Sequence, residues 1–239
     1  MRESIRKLAV IQRGGAKMTV VWTDVHEVEE RLKKLGLSPE GTPSAVENID
    51  TALQRAEAER NFCTGLDPIS LPGNIFWGRT VRFLRETYLP HGWTAASPRN
   101  VPLLVAPSEE FAITVSSGSR ETGFGALKPT TRYSKGTAVM GRVATNRQLL
   151  IPGVGFGEED VEVGDGIPTW FLLYQHVSTK SGVRLHAELS LPEGAGEHGK
   201  IDVWNERIIL PEIDFDGFTP FEDAIDPNSG FDIPVERLG

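Results

Sequence analysis

The chain has 239 residues, 39% of them hydrophobic, and a formal net charge of -8 at pH 7. This composition is typical of a globular protein, and the single cysteine, Cys63, excludes an intramolecular disulfide and a multi-cysteine metal site. No apolar run approaches the roughly 18 residues of a membrane span, and the N-terminus lacks the apolar core of a signal peptide. We therefore expect a cytoplasmic protein without membrane association.

Charge is distributed unevenly along the chain. Residues 79–147 hold 10 basic against 4 acidic residues, whereas residues 148–239 hold 5 against 18. A basic centre beside an acidic C-terminal third has two interpretations. Either the two parts attract each other within one fold, or each presents its own surface to a different partner.

Two amphipathic helices are predicted near the N-terminus. In the first, over residues 24–35, Asp24 is expected to cap the helix. In the second, over residues 44–62, Ser44 and Glu47 have the spacing of a capping box. We expect the polar residues of this second helix, Glu57, Glu59 and Arg60, to lie on a solvated face.

A third helix is predicted over residues 74–88, and it carries Arg79, Arg82 and Arg85. Residues three apart lie on the same side of a helix, so the spacing predicts a basic stripe. Such a stripe is either solvated and paired with the acidic C-terminal third, or it binds phosphate or an acidic partner surface.

Beyond the helices, short apolar runs predict strands over residues 101–105 and 111–116, then a long loop, a helix over 137–150 and a three-stranded meander. The meander strands are expected over residues 169–177, 183–191 and 201–210. Strict alternation in its middle strand predicts a sheet with one buried and one solvated face. We therefore expect one α+β domain, its helical part (1–92) packed on an antiparallel sheet within 93–211, with an acidic, aromatic tail over 212–239.

The loop over residues 117–136 is long for a compact domain and contains several glycines and cations. Backbone N–H groups, the N-terminus of the following helix and basic side chains together favour anion binding. The loop has neither GxxxxGK[ST] nor GxGxxG, so no nucleotide-binding fold is predicted, and a mobile loop without a ligand is the alternative. The candidate ligands of an anion are Arg120, Lys128, Arg132 and Lys135.

The polar face of the middle meander strand is a second candidate site. Arg184, His186 and Glu188 alternate with apolar residues, so they share one face and could act in general acid–base chemistry. Cross-strand salt bridging on a solvated face explains the same pattern. The HxE fragment of zinc deaminases is present, but it requires a downstream cysteine pair that the chain lacks. No metal site and no cofactor are predicted.

The C-terminal third carries a resemblance. The segments Trp170-Phe171-Leu172-Leu173-Tyr174, Glu188-Leu189-Ser190-Leu191-Pro192 and Trp204-Asn205-Glu206-Arg207-Ile208-Ile209-Leu210-Pro211 resemble uncharacterised bacterial proteins of mobile elements and prophages. This resemblance brings no known activity, but it favours a protein that acts on another macromolecule.

Two hypotheses for function follow. The first is a non-enzymatic protein, such as an inhibitor of host defence, an immunity protein or an accessory factor, that docks on a protein or nucleoprotein partner. Direct binding of nucleic acid is a weaker third possibility. The alternative is an enzyme or ligand-binding protein for a phosphorylated or nucleotide-like molecule, held by the loop cations near His186. The acidic residues proposed for docking are Glu158, Glu159, Asp160, Asp214 and Asp216, and the basic ones are Arg79, Arg82 and Arg85.

Overall fold

The computed structural model describes residues 19–149, 166–180 and 182–216. Within these ranges the helices are α1 (Val25–Lys34), α2 (Ala45–Arg60), α3 (Leu71–Tyr88) and α4 (Thr137–Leu149). The strands are β1 (Val20–Trp22), β2 (Thr94–Ala96), β3 (Leu103–Val105), β4 (Ala112–Ser117), β5 (Thr169–Ser178), β6 (Gly182–Ala195), β7 (Ile201–Ile209) and β8 (Ile213–Asp216).

The predicted helix caps are confirmed. The Asp24 carboxylate accepts hydrogen bonds from two backbone N–H groups in the first turn of α1, and the Ser44 hydroxyl accepts one from the Glu47 N–H of α2. Helix α3 begins at Leu71 rather than at residue 74, because Pro72 fits a first turn in which its missing N–H is not needed. In the described part of the chain, no helix combines the length and apolar character needed to cross a membrane.

All eight described strands belong to one mixed sheet. The order is β1-β7-β6-β5-β4-β3-β2, and β5, β6 and β7 form the predicted antiparallel meander. However, β4 pairs with β5 in parallel, and so does β1 with β7, so the prediction of an antiparallel sheet is wrong. The alternation that predicts a strand contains no information about direction, and the long connection between β4 and β5 allows parallel pairing.

Strand β8 occupies part of the region predicted to be an irregular tail. It pairs with the first residues of β6, while β7 pairs with the rest of that strand. Pro211 lies between β7 and β8, where a residue without an N–H group interrupts the ladder. The expectation of no strand beyond residue 212 is therefore wrong for Ile213–Asp216. Residues 217–239 of the predicted tail lie outside the described residues.

Strand β5 is buried on both faces. Its side chains Trp170, Leu172 and Tyr174 belong to a large apolar cluster that also contains residues of α1, α2 and α3. On the opposite face, Phe171 and Leu173 pack in a second cluster with residues of α4 and β7. Burial on both faces extends from Thr169 to Tyr174, and the residues that follow are progressively more exposed up to Ser178.

Candidate functional site

A cavity of about 890 Å³ lies at the edge of the sheet where β4 extends beyond the end of β3. Its walls come from α2, α3, β4, β5, the first turn of α4 and the segments before β3 and α4. Small-molecule sites typically enclose roughly 300–1,000 Å³, so this space is large enough for a nucleotide-sized ligand.

Hydrogen bonding in β4 explains why this edge of the sheet is open. The N–H groups of Ala112 and Gly118 donate to carbonyls on the β5 side, so the odd-numbered residues between them direct their N–H and C=O groups away from β5. On that side, β3 pairs with β4 only as far as Ile113. The backbone groups of Val115 and Ser117 are therefore left at the edge that lines the cavity.

The carbonyls at this open edge are satisfied, whereas the amides are available. The Trp77 indole N–H donates to the Val115 carbonyl at 3.0 Å, and the Arg132 backbone N–H donates to the Ser117 carbonyl at 3.0 Å. No described residue accepts a hydrogen bond from the N–H of Val115 or Ser117. Both residues line the cavity, so these two donors mark a place where a ligand oxygen can bind.

The polar part of the cavity wall is cationic. Arg60, Arg132 and Lys135 line it, and the described lining contains no Asp or Glu. Burial lowers the pKa of Lys135 to about 8, because removal from water disfavours the charged ammonium. An anion placed here would reverse that effect, so the wall favours a negatively charged ligand.

The remaining wall is largely aromatic and apolar. Trp77, Tyr133, Phe171 and Tyr174 contribute rings to it, and Trp77 is partly exposed. Burial raises the pKa of Tyr174, which therefore stays a neutral phenol in ordinary conditions. A ligand with a flat apolar body would find stacking surfaces beside the cationic groups.

A buried charged cluster, Glu57–Arg60–His176, stands at one wall of the cavity. Glu57 is fully buried, and its two oxygens lie 2.8 Å from Arg60 Nη1 and 2.8 Å from His176 Nε2. Burial alone would raise the pKa of Glu57, but its interactions with His176, and to a smaller extent with Arg60, hold the pKa below its usual value. Glu57 is therefore a carboxylate, behind two side chains that reach the cavity.

A smaller cleft of about 260 Å³ adjoins the cavity, since Arg132 and Tyr133 belong to both walls. Arg120 and Lys200 also line the cleft. Of the four cations predicted to hold an anion, Arg120, Arg132 and Lys135 thus border one of the two spaces, and Lys128 borders neither. The loop itself is tied to the sheet by hydrogen bonds, such as the one from the Thr131 N–H to the Ile201 carbonyl.

Of the residues predicted on the polar face of β6, His186, Glu188 and Ser190 are buried, whereas Arg184 is half-exposed. Glu188 is fully buried and receives hydrogen bonds from Arg207, from the Ser190 hydroxyl and from the Gly123 N–H. The prediction of a solvated face is therefore wrong, because residues 118–131 pack over it. Alternation within one strand cannot reveal a cover that comes from a distant part of the chain.

Arg184, His186 and Glu188 share one face as predicted, but they do not line the large cavity. His186 lies 3.1 Å from Glu212, and its ring packs against that of Phe124. Arg184 is half-exposed and pairs with Asp214 at 2.7 Å. Among the described residues, no three His, Cys, Asp or Glu side chains come together as a metal ion would require.

The arginines of α3 do not act as one stripe. Arg79 pairs with Glu59 at 3.3 Å and Arg82 with Glu86 at 2.7 Å, both at the surface. Arg85 donates to the backbone carbonyls of Ala96 and Leu103, which ties α3 to β2 and β3. Each step of three residues rotates the side chain by about 60° around the helix, so the first and last arginine face different surroundings.

The acidic docking candidates are only partly within the described chain. Asp214 pairs with Arg184, and Asp216 is the last residue of β8. Glu158, Glu159 and Asp160 lie outside the described residues.

Glu57, Arg60 and His176 were not predicted to form a cluster, although the hydrophobic periodicity around each of them indicates a buried position. Arg60 lies four residues after Ala56 and Glu57 four after Leu53, so both follow the apolar stripe of α2 rather than its polar side. The expectation that they are solvated is wrong, whereas Glu59 is indeed near the surface. His176 similarly continues the alternation of the buried face of β5.

No protein-family model, curated protein or solved structure matches the chain. The resemblance of residues 169–211 to proteins of mobile elements and prophages therefore stays a prediction.

Proposed function

We propose that the chain binds a small organic anion in the cavity at the β4 edge. The expected ligand joins a phosphate or similar anionic group to a flat apolar body, as phosphorylated and nucleotide-like molecules do. The observation that carries this proposal is a wall with Arg60, Arg132 and Lys135 and with no carboxylate among its described residues. Glu57 pairs with Arg60 behind this wall.

The arrangement of polar and aromatic groups supports the same ligand class. The N–H groups of Val115 and Ser117 can donate to anionic oxygens, as backbone amides do in many phosphate sites. Trp77 and Tyr133 border the same space and offer faces for a ring. A pocket with a mostly apolar wall and a few convergent polar groups is the usual form of a small-molecule site.

Ligand binding is tested by calorimetric titration and thermal unfolding with phenyl phosphate, AMP and the neutral nucleoside adenosine. We expect the two anions to bind and to raise the unfolding midpoint, and adenosine to have little effect. Lys135→Met should weaken anion binding about tenfold or more, since a charged hydrogen bond contributes about 1.5–3 kcal/mol.

Lys34→Met is the matched control, because Lys34 is an exposed residue in the last turn of α1 and the substitution is chemically identical. It should bind as the wild type does. If neither anion binds at millimolar concentration, or if both lysine variants lose the same affinity, the proposal is wrong.

Docking on a macromolecular partner is a second candidate function. It is favoured by three apolar side chains in the connection between α2 and α3, namely Phe62, Leu66 and Ile69, which are 82%, 97% and 66% exposed. Exposed apolar side chains close together in a chain are a common feature of protein interfaces. An inhibitor, immunity protein or accessory factor would use them together with the surface charges of α3.

This second function is tested by affinity capture from bacterial lysate, with and without nuclease treatment. The variants are Leu66→Glu and the double charge reversal Arg79→Glu/Arg82→Glu. Arg85 is left intact because it holds backbone carbonyls and its loss would disturb the fold. A nuclease-resistant partner that both variants retain would exclude these surfaces as the docking site.

A further inference from the structure

We propose that the open edge of β4 selects a ligand with two oxygen acceptors about 6.6 Å apart, one at each end of its flat apolar body. An aromatic acid with a carbonyl or a second carboxylate at the far side of the ring is the simplest member of this class. The inference rests on the proposed anion binding and specifies the chemistry of the ligand. Its basis is the pair of backbone N–H groups of Val115 and Ser117, which line the cavity and have no described acceptor.

The first argument is the distance between these two donors. Both N–H groups point away from β5, because those of Ala112 and Gly118 donate to the β5 side. Residues two apart in a strand are separated by about 6.6 Å, since each residue advances the chain by about 3.3 Å. The oxygens of a single phosphate or carboxylate lie much closer together. One acidic group can therefore accept a well-aligned hydrogen bond from only one of the two donors, and the other donor needs a second acceptor.

The second argument is that the carbonyls of this edge are already occupied. The Val115 carbonyl accepts from the Trp77 indole N–H and the Ser117 carbonyl from the Arg132 backbone N–H, both at 3.0 Å. An added β-strand would direct its own N–H groups at these same carbonyls. The edge is therefore unsuited to a peptide that extends the sheet, and it suits a ligand that presents acceptors alone.

The third argument is that the open edge is short and closed at both ends. On one side, β3 pairs with β4 up to Ile113. On the other, Gly118 forms a bridge with Thr131, so residues 130–132 occupy the edge from there on. The stretch 114–117 that remains spans about 10 Å. This length fits a single ring with an acceptor at each end, whereas a longer chain would meet β3 or residues 130–132.

The fourth argument is the space beside the two donors. The Trp77 indole reaches the Val115 carbonyl and is 39% exposed, so its ring borders this part of the cavity. Gly73 lies four residues earlier, on the same side of α3, and also lines the cavity. A Cβ at Gly73 would meet nothing within 4 Å. Helix α3 therefore leaves room next to Trp77, where a flat ligand body can lie against the indole.

The spacing is tested in the full chain with acids that carry the same charge. The probes are 4-acetylbenzoate, its isomer 2-acetylbenzoate, and 4-isopropylbenzoate, in which a methyl group replaces the ketone oxygen. Calorimetric titration should give a Kd for 4-acetylbenzoate about fivefold below the other two, because it alone offers a second acceptor at the far end of the ring. Amide hydrogen exchange followed by NMR should slow about tenfold or more at both Val115 and Ser117 when 4-acetylbenzoate saturates the site.

The position of the ligand is tested with Gly73→Leu and the matched control Gly78→Leu. Both replace a glycine of α3 at which a Cβ meets nothing within 4 Å, but only Gly73 lines the cavity. Leucine has the higher helix propensity, so neither variant is expected to lose stability. Gly73→Leu should weaken the binding of 4-acetylbenzoate about tenfold, because its side chain competes for the same space, and Gly78→Leu should bind as the wild type does.

Equal affinity for the three acids would overturn the ligand with two acceptors and leave the proposed anion binding intact. The same conclusion would follow if 4-acetylbenzoate bound without slowing exchange at both Val115 and Ser117, or if Gly73→Leu bound it as tightly as the wild type. If none of the three acids and no phenyl phosphate bound at millimolar concentration, both proposals would be wrong.

Discussion

Glu188 and Glu57 are both fully buried and both bond an arginine, yet their surroundings differ. Around Glu188 the donors are Arg207, the Ser190 hydroxyl and the Gly123 N–H, so its two oxygens are saturated by protein groups. Around Glu57 a histidine that borders the cavity takes the place of these fixed donors.

The difference shows two uses of a buried charge. Glu188 and Arg207 fasten residues 118–131 to the sheet, since Arg207 also donates to the Leu127 and Phe124 carbonyls. The same segment leads to Arg132 and Lys135, so this closed cluster positions the cavity wall. The Glu57 cluster is instead open on one side, where its histidine meets the space that a ligand would fill.

Breaking the Glu188–Arg207 cluster should cause the largest loss of stability. Arg207→Met leaves Glu188 as a buried carboxylate without a cation, which typically costs about 3–5 kcal/mol of unfolding free energy. Urea-induced unfolding of wild type and variant measures the loss.

The double variant Arg207→Met/Glu188→Leu separates charge from packing. Replacing both partners by apolar groups removes the unpaired charge, so we expect it to be more stable than the single variant. A double variant as unstable as Arg207→Met would attribute the loss to packing of residues 118–131 and not to the buried charge.

A smaller change to the same cluster is Gly123→Ala. Gly123 has φ +82°, and a Cβ there would lie 2.7 Å from the His186 Cβ. Strain of this kind costs about 1–3 kcal/mol, and we expect faster hydrogen exchange in residues 118–131 together with a lower unfolding midpoint. Gly141→Ala is the control, because a Cβ at Gly141 in α4 meets nothing within 4 Å. Equal loss in both variants would contradict a special role for Gly123.

Local patterns predicted most of the secondary structure because their causes are local. Asp24 and Ser44 cap helices through atoms two or three residues away, and the meander follows from the alternation of its own residues. The parallel pairing of β4 with β5 arises from long-range pairing that no single stretch encodes. The secondary-structure elements can therefore be predicted from the sequence more reliably than their arrangement in the sheet.

The candidate site illustrates the same limit. Arg132 and Lys135 could be proposed as anion ligands from loop composition, and the structure places both at the cavity. The open edge of β4 could not be predicted, because it depends on where β3 stops pairing. Glu57 and His176 lie on buried faces that their own periodicity indicates, but their hydrogen bond joins residues 119 positions apart.

In the cavity beside the Glu57 cluster, the affinity for an anion should depend on the protonation of Lys135. Its pKa is lowered to about 8 in the free protein, and a bound anion raises it again, so binding takes up a proton above that pH. We expect the affinity for phenylphosphonate to be highest below pH 8 and to fall as pH rises through 8 to 9.5. Titration calorimetry across this range should show no such fall for Lys135→Met. A fall of the same size in that variant would assign the proton to another group.

Asp50 is a third carboxylate, and unlike Glu57 and Glu188 it has no cation in the described ion pairs. Its substitution should change the protein least. Burial, with a contribution from Glu47, raises the pKa of Asp50 to about 6, and its buried Oδ1 has no hydrogen-bond partner. Because the folded pKa is above the unfolded value of 3.8, ionised Asp50 costs stability at pH 7, and that cost disappears as pH falls through 6 to below 4. Asp50→Asn should therefore raise the unfolding free energy by about 1–3 kcal/mol at pH 7.5, the lower value allowing for solvent screening, and by almost nothing at pH 3.5, as read from chemical unfolding at both pH values. A gain that is equal at the two pH values would mean that the negative charge of the Asp50 carboxylate is not what destabilises this position.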